Sequence, residues 1–409
     1  MVVIKREGVL LEATDLEFEN QAVLNPTIYQ EDNTLHMFYR AVRKGNYSSI
    51  GHIKLEGPLN IIEKKEEPII FPEYDYEIHG VEDPRIVSLD GIFYLFYTAY
   101  DGKNARVAFA TSKDLINWEK HGLITPSISY EDAKNLFKQS HLKRKYFHFV
   151  SYIKDITAPD VLLWEKDCYL FPEKYNNNFV FMHRILPDIQ LIDFKDFNQL
   201  KNLKYWEEYL KKLDQHVLME PEFSYESHHI GGGAPLINTP LGWLLIYHAV
   251  EDTNSGQIYH ASAALLEKEP PFRVIGRLKK PLFSPKEDYE KMGNVWNVVF
   301  PTGTAIFKNR LYIYYGAADK RIAVVSLNLT ALLKELIKSQ SNFDVDIGFL
   351  AGEIFKKASR KEINLEQLKK KYADRLDLLL MAIGWLAREE KVIFRRENGK
   401  LKIWTGDIK

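Results

Sequence analysis

The residues best suited to acid–base chemistry stand in Gly80-Val81-Glu82-Asp83-Pro84-Arg85. Two adjacent carboxylates and a guanidinium flank a proline that fixes its own φ. Neighbouring side chains of an extended chain point to opposite sides. Glu82 and Asp83 are therefore not expected to share a pocket: one faces inward while the other pairs with Arg85. A turn held by an Asp–Arg salt bridge is the competing structural reading. A second cluster is His228-His229-Ile230-Gly231-Gly232-Gly233-Ala234-Pro235, followed by Gly242-Trp243 and Tyr247-His248. Three consecutive glycines would let a ligand approach backbone amides; a tight bend between strands is the alternative. The spacing suits neither zinc nor a nucleotide phosphate, since no Lys-Ser/Thr follows the glycines. A third cluster, Tyr314-Tyr315-Gly316-Ala317-Ala318-Asp319, ends an apolar strand with a carboxylate suited to sugar hydroxyls. The single cysteine, Cys168, has no motif that marks a nucleophile and reads as core.

Such scattered groups need elements that bring them together, and the chain carries one strand pattern five times. The copies are Leu35–Arg40, Phe93–Thr98, Phe179–Arg184, Trp243–His248 and Leu311–Gly316. Aligning Tyr39, Tyr97, His183, Tyr247 and Tyr315 gives gaps of 58, 86, 64 and 68 residues. A turn signal such as Asp90-Gly91 or Lys308-Asn309 precedes each copy. Further short β-rich runs, Val107–Thr111, Ala261–Leu265 and Ile322–Leu327, lie between them. Repeated four-stranded units of this length predict propeller blades, with the copies as inner strands whose ends converge on one pocket. A β-sandwich is the alternative. The longest gap holds a helical segment, Tyr130–Gln139, and a basic run, His141–Lys145; a second helical patch spans Lys201–Leu213. These are expected either to overhang the pocket or to decorate the surface.

Composition narrows the function classes. A net charge of −1 over 409 residues gives no global attraction to nucleic acid or anionic membrane. One cysteine excludes an intrachain disulfide and suits a reducing compartment. The N-terminus lacks a signal-peptide pattern, and no stretch reaches the roughly 20 apolar residues of a membrane helix. A cytoplasmic protein is expected.

Taken together, Gly80–Ile86, Lys166–Lys174 with His183-Arg184, Ile230–Pro235 with Gly242–His248, Gly293–Gly303 and Tyr315–Asp319 resemble glycoside hydrolase family 130, the β-mannoside phosphorylases and β-1,2-mannosidases. The resemblance spans about residues 15–330 in the family's order. It implies a five-bladed β-propeller over residues 1–338 and an inverting reaction. It also implies Asp83 as general acid, its proton passing in the phosphorylases through a hydroxyl of the bound mannose. Asn25 and Asp319 match contacts to that mannose, and Arg40, Arg85, His229 and Tyr247 are expected to line the same sugar. A phosphorylase needs groups that hold a dianion, for which Arg106, Lys174, Arg184 and His248 are candidates. A hydrolase needs a second carboxylate, Glu173 or Glu226, with the pair roughly 6.5–9.5 Å apart to admit water. Phosphorolysis of β-1,4- or β-1,2-mannosides to mannose 1-phosphate is the preferred expectation, because a sugar phosphate conserves bond energy for an enzyme working inside the cell. It requires inorganic phosphate as co-substrate and no cofactor or metal. A β-mannosidase using water and a sugar-sensing regulator are the alternatives.

Beyond residue 343 the β pattern gives way to helical spacing over Ile347–Ser359, Leu365–Tyr372 with Asn364 as cap, and Leu376–Glu390. Two alternating strands, Lys391–Arg396 and Lys400–Trp404, flank Asn398-Gly399, a hairpin signal. Three helices and a hairpin predict a small α+β winged-helix domain over residues 343–409, which looks like bacterial winged-helix domains of unknown function. Fifteen basic and eleven acidic residues leave it only modestly positive. Protein interaction is therefore favoured over DNA binding, and self-association of the whole chain stays open.

Overall fold

In a computed structural model, residues 2–157, 161–339, 343–397 and 399–405 are described. The chain divides into two compact units, Met1–Ile337 and Lys338–Lys409.

The large unit consists of five antiparallel groups of strands. The first comprises Ala22–Glu31, Thr34–Arg43, Tyr47–Glu56 and Asn60–Lys64; the second, Gly80–Leu89, Ile92–Tyr100, Ala105–Ser112 and Glu119–Leu123. One parallel bridge, Ser48 to Gly80, joins these two. The third is built from Lys166–Leu170, Phe179–Arg184, Ile189–Phe194 and Val217–Met219. In the fourth, His229–Gly232 and Ile237–Thr239 both pair with Gly242–Thr253, which continues to Gly256–Leu266 and Val274–Arg277. The fifth combines Val299–Phe307, Arg310–Ala317 and Arg321–Asn328 with Lys5–Leu11 from the N-terminus. The five sequence repeats fall on the second strand of each group. That corrects one expectation: the first strands, one position earlier, lie nearest the neighbouring groups. Those of the first four groups contact one another in succession, and the fifth group's first strand packs on Gly242–Thr253 and Gly256–Leu266 of the fourth and returns to the first group's.

Four of the repeats end in the same buried arrangement. Tyr39, Tyr97, Tyr247 and Tyr315 donate from their hydroxyls to Glu19, Glu77, Glu226 and Glu290 at 2.7, 2.7, 2.7 and 2.6 Å. All four glutamates are fully buried, where an unpaired charge would be costly. The outer strand of each group supplies the compensating cation: Lys64, Lys120, Arg277 and Arg6 respectively. Backbone amides complete the clasp, as where Glu222 and Phe223 donate to Glu226. The third group departs from the rule. His183 stands in the tyrosine position, contacts Glu165 at 2.7 Å and Tyr209 at 2.6 Å, and its outer strand brings no cation.

The inserted helices, Tyr130–Phe137 and Arg144–Ile156, bury Phe137, Tyr146, Val150 and Ile153 in the core shared by the second and third groups. The helix Leu203–Leu210 seats Trp206 there, its indole bonded to the carbonyls of Leu200 and Ile124. These are packed elements rather than surface decoration.

In the small unit, helices Phe343–Ala358, Leu365–Lys371 and Leu376–Arg388 enclose Leu350, Ile354, Leu368, Leu379, Ile383 and Leu386. Asn364 caps the second helix by accepting from the Glu366 amide. Strands Ile393–Glu397 and Lys400–Trp404 pair, and Ile363–Asn364 adds a third strand not foreseen. Gly399 takes the left-handed φ of a hairpin turn; Asn398 lies outside the described residues.

Candidate active site

The first strands of the first three groups share a defect that builds the site. Each ladder slips by a bulge, between Leu24 and Thr27, Glu82 and Arg85, and Lys166 and Tyr169. The displaced residues Asn25, Asp83 and Asp167 adopt left-handed backbone, with φ of 48°, 51° and 58°. Asn and Asp are among the few non-glycine residues that tolerate this conformation. A bulge breaks side-chain alternation and re-aims a residue. That overturns the expectation that Glu82 and Asp83 part company. Arg40 from the first group meets both, Glu82 at 2.5 Å and Asp83 at 3.5 Å. Asn25 donates to Asp83 at 2.7 Å. Gly316 leaves room for Asn25, since a Cβ there would lie 2.1 Å from the Asn25 amide oxygen.

Arg85 does not pair with the carboxylate of Asp83. It is fully buried and donates to the carbonyls of Asp83, Pro84 and Gly233. Its remaining nitrogen, Nη2, points toward Asp167 at 3.8 Å. Asp167, absent from the expected site residues, lies 3.0 Å from Arg184 and 3.8 Å from His248. His229 places its ring 5.8 Å from that of His248, which also packs on Phe300. His228 touches His229 through their Nδ1 atoms, and Phe149 and Lys145 of the helix Arg144–Ile156 lie against His228 and the Ser227 carbonyl. The inserted helix therefore borders this centre. The three glycines serve protein packing rather than a ligand. A Cβ on Gly231 would meet His248 at 2.3 Å and Asp167 at 2.6 Å, and one on Gly233 would meet the Ile246 and Pro301 carbonyls.

The electrostatics divide the carboxylates. Burial would raise Asp83, but Arg40, Lys166 and Arg85, with the Asn25 hydrogen bond, hold it below the usual range. Asp319, on left-handed backbone with φ of 50°, is pushed up to about 6 by burial, against the pull of Arg40 and with the added charge of Asp83. Burial lowers His248 to about 3 despite Asp167 beside it, and drives His229 well below its ordinary value. Both imidazoles are neutral, so His248 offers a hydrogen-bonding nitrogen and not the charge expected of it.

Buried polar atoms without hydrogen-bond partners concentrate here: Asn25 Oδ1, Arg85 Nη2, Asp167 Oδ2, Tyr169 Oη, Arg184 Nε, His229 Nε2 and both His248 nitrogens. Native interiors rarely leave such groups unpaired, and a cluster of them marks a place that a polar ligand completes.

Several expected site residues lie elsewhere. Glu226 and Tyr247 belong to the fourth group's clasp, their oxygens committed to each other and to Arg277. Glu173 is near Asn238, and Lys174 pairs with Asp90 in a hairpin turn and lies over Phe179. The strand ends at Leu170, and both follow it in a bend that leads away from the bulge. Arg106 stands over Tyr76 and bonds Ser127, and its Nε is a further buried atom without a partner, so it stays among the candidates. Residues not foreseen are Asp167, Glu82 and Lys166. Asp167 had a signal: it precedes an aligned repeat much as Asn25 and Asp83 do.

Residues 5–338 match glycoside hydrolase family 130, described as β-1,4-mannooligosaccharide phosphorylase, and residues 340–405 match a winged helix-turn-helix domain. The chain is 34% identical to the 1,2-β-oligomannan phosphorylase of a Thermoanaerobacter species, over 80% of this chain and 98% of that one. It is 31% identical to a β-1,2-mannobiose phosphorylase of the same organism, over 78% and 95%. The solved β-1,2-mannobiose phosphorylase of Listeria innocua, in complex with β-1,2-mannobiose, superposes with a TM-score of 0.59 at 22% identity, covering 81% of this chain and 99% of that one. At that identity the likeness speaks to fold. The family match over nearly the whole large unit, with 34% identity over 98% of the Thermoanaerobacter relative, shows that the chain belongs to glycoside hydrolase family 130.

Proposed function

We propose that the protein phosphorolyses β-1,2-linked mannosides, releasing mannose 1-phosphate and a shortened sugar. The five strand groups are read as blades of a propeller, whose bulged first strands surround one central sugar site. The single observation that carries the reaction is the company of unpartnered donors: Arg184, His248 and Arg85 Nη2 gather at Asp167, while Asp83 and Asp319 share the fields of Arg40 and Lys166. Dianion-binding groups thus stand near an acid, and the two carboxylates weighed as hydrolytic bases, Glu173 and Glu226, are committed elsewhere. The preference for the β-1,2 linkage follows two relatives that match about four-fifths of the chain.

In the inverting step a phosphate oxygen attacks the anomeric carbon from one face. The glycosidic C–O bond breaks on the other, and a proton reaches the leaving oxygen. Asp83 supplies that proton, directly or through a mannose hydroxyl. The cations that keep Asp83 ionised are offset when a dianion arrives, which raises its proton affinity at the moment an acid is needed. Asn25 fixes its orientation, and Asp319 bonds sugar hydroxyls. Arg184, Lys166 and His248 hold the phosphate. The winged-helix unit is read as a protein-interaction module, and retention of the sugar phosphate suits a cytoplasmic enzyme.

The test incubates the full chain with β-1,2- and β-1,4-mannobiose, with and without phosphate. Phosphate-dependent mannose 1-phosphate from the β-1,2 substrate is expected. Free mannose without phosphate would instead make it a hydrolase.

A further inference from the structure

We propose that Asp167 is a positioning residue for phosphate: a buried counter-ion that holds Arg184, Arg85 and His248 in register while leaving their other donors to the dianion. This rests on the phosphorolytic reading above and deepens it. Asp167 comes from the third strand group, Arg85 from the second and His248 from the fourth, so one carboxylate ties three groups at the site. Its side chain is 3% exposed. Two features of the chain place it there: the left-handed bulge that swings it out of the ladder, and Gly231, whose missing Cβ clears the space for both Asp167 and His248.

The pairing is unusual in what it leaves undone. Arg184 Nε and Asp167 Oδ2 are 3.0 Å apart, yet neither makes a hydrogen bond. The ion pair fixes the guanidinium by charge, and among the described residues no hydrogen bond is made by the Arg184 side chain. Arg85 likewise keeps Nη2 unpartnered after spending its other nitrogens on carbonyls. A purely structural bridge would use these donors, as Lys120 does in the second group's clasp, donating to Glu77 and to the Phe71 carbonyl. Arg184, Arg85 and Lys166 would repel one another with no anion between them, so a resident carboxylate keeps the site assembled until phosphate takes over part of that role.

The sign of one substitution separates positioning from simple charge. If Asp167 merely opposed an incoming anion, Asp167→Asn would tighten phosphate binding. If it positions the cations, the same change loosens it. Asn tolerates left-handed backbone, so the bulge is preserved. Steady-state kinetics of the full chain should show the KM for phosphate rising about tenfold or more, with the KM for the mannoside and kcat at saturating phosphate within about threefold of wild type. Titration calorimetry with inorganic phosphate should show a matching loss of affinity. Unchanged or tighter phosphate binding in Asp167→Asn, with wild type binding normally, would overturn the proposal alone. A wild-type chain that binds no phosphate would overturn the phosphorolytic reading and this proposal with it. Gly231→Ala is the second variant, since its methyl displaces Asp167 and His248 without removing charge. It should raise the phosphate KM in the same selective way, and a Gly231→Ala chain with wild-type phosphate affinity would likewise overturn the proposal.

Discussion

Two sets of buried ionised residues occupy the same five strand groups, and they are finished differently. In the clasps, Glu77 accepts from Tyr97 and Lys120, and Glu226 accepts from Tyr247 and backbone amides while forming an ion pair with Arg277. Around Asp167 and Asp83, charges are equally buried but Oδ2 of Asp167, Nη2 of Arg85 and both nitrogens of His248 bond nothing. The clasps recur with small variation in four of the groups; the centre draws one different residue from each bulge. Burial and charge alone do not distinguish scaffold from site. Completion does: a satisfied network holds the fold, and an incomplete one awaits a ligand.

Substitutions that remove a charge from each set should therefore fail in different ways. The largest effect belongs to Asp83→Asn, which removes the proposed acid while keeping shape and left-handed backbone. A general acid contributes about 10²–10⁴ in rate, so mannose 1-phosphate release should fall by that order with thermal unfolding little changed. Turnover near wild type would remove Asp83 from its role. Glu226→Gln should do the reverse. Leaving buried Arg277 without its carboxylate costs about 3 kcal/mol of stability, read by denaturant unfolding, while the folded fraction keeps its kcat and KM. A folded Glu226→Gln chain with lost turnover would return Glu226 to the site.

The clasp was half legible in the sequence, and so was the site. Tyr39, Tyr97, His183, Tyr247 and Tyr315 align because each ends an apolar strand after a turn signal, a pattern written in adjacent residues. Their glutamates end short turns well upstream that share an aromatic–Glu pair, Phe18-Glu19, Tyr76-Glu77, Tyr225-Glu226 and Tyr289-Glu290, a repeat that lies outside the aligned strands and went unread. Without the partner, Tyr247 and Glu226 looked like pocket residues. The motif around Asp83 drew attention to a carboxylate that the fold sets beside Arg40 and Asn25. The bulge that turns it toward Arg40 is a property of two paired strands and is not visible in one. Asp167 was missed for the same reason: its polar partners are contributed by three separate groups, and only their closure brings Arg85, Arg184 and His248 around it. Lys174 and Glu173 follow that strand by a few residues, in a bend after Leu170 where no strand pattern tells which way a side chain turns.

Asp319 tests the cost of an unfinished centre through pH. Its carboxyl titrates at about 6 in the native chain against an ordinary 3.8. Below about pH 4 both folded and unfolded chains carry the proton and the group contributes nothing. Between about pH 4 and 6 the native chain binds more protons than the unfolded one, so stability falls as pH rises, levelling above about 6. The loss is on the order of 2 kcal/mol, since a tenfold change in proton affinity is worth about 1.4 kcal/mol and relaxation of the buried site takes back part of it. Asp319→Asn should therefore be more stable than wild type at pH 7 and equal to it near pH 4, while binding mannosides more weakly. Equal stability at both pH values would show that Asp319 bears no burial penalty.

The smallest effect is the most discriminating about the clasps themselves. Tyr97→Phe removes one hydroxyl whose acceptor, Glu77, keeps its bond to Lys120 at 2.7 Å. Loss of one such hydrogen bond costs about 1 kcal/mol. Tyr247→Phe removes the equivalent hydroxyl, and Glu226 keeps Arg277 and two amides. If the two positions are copies of one structural device, both variants should lose about 1 kcal/mol in urea unfolding with kinetic constants unchanged. A Tyr247→Phe chain of normal stability whose mannoside KM rises severalfold would break the equivalence and make that tyrosine a sugar contact. The comparison is sharp because the two hydroxyls have the same acceptor type and nearly the same burial. Besides the Tyr225 and Arg277 contacts that the Tyr247 hydroxyl adds, proximity to the orphaned donors around His248, the next residue along the strand, separates them.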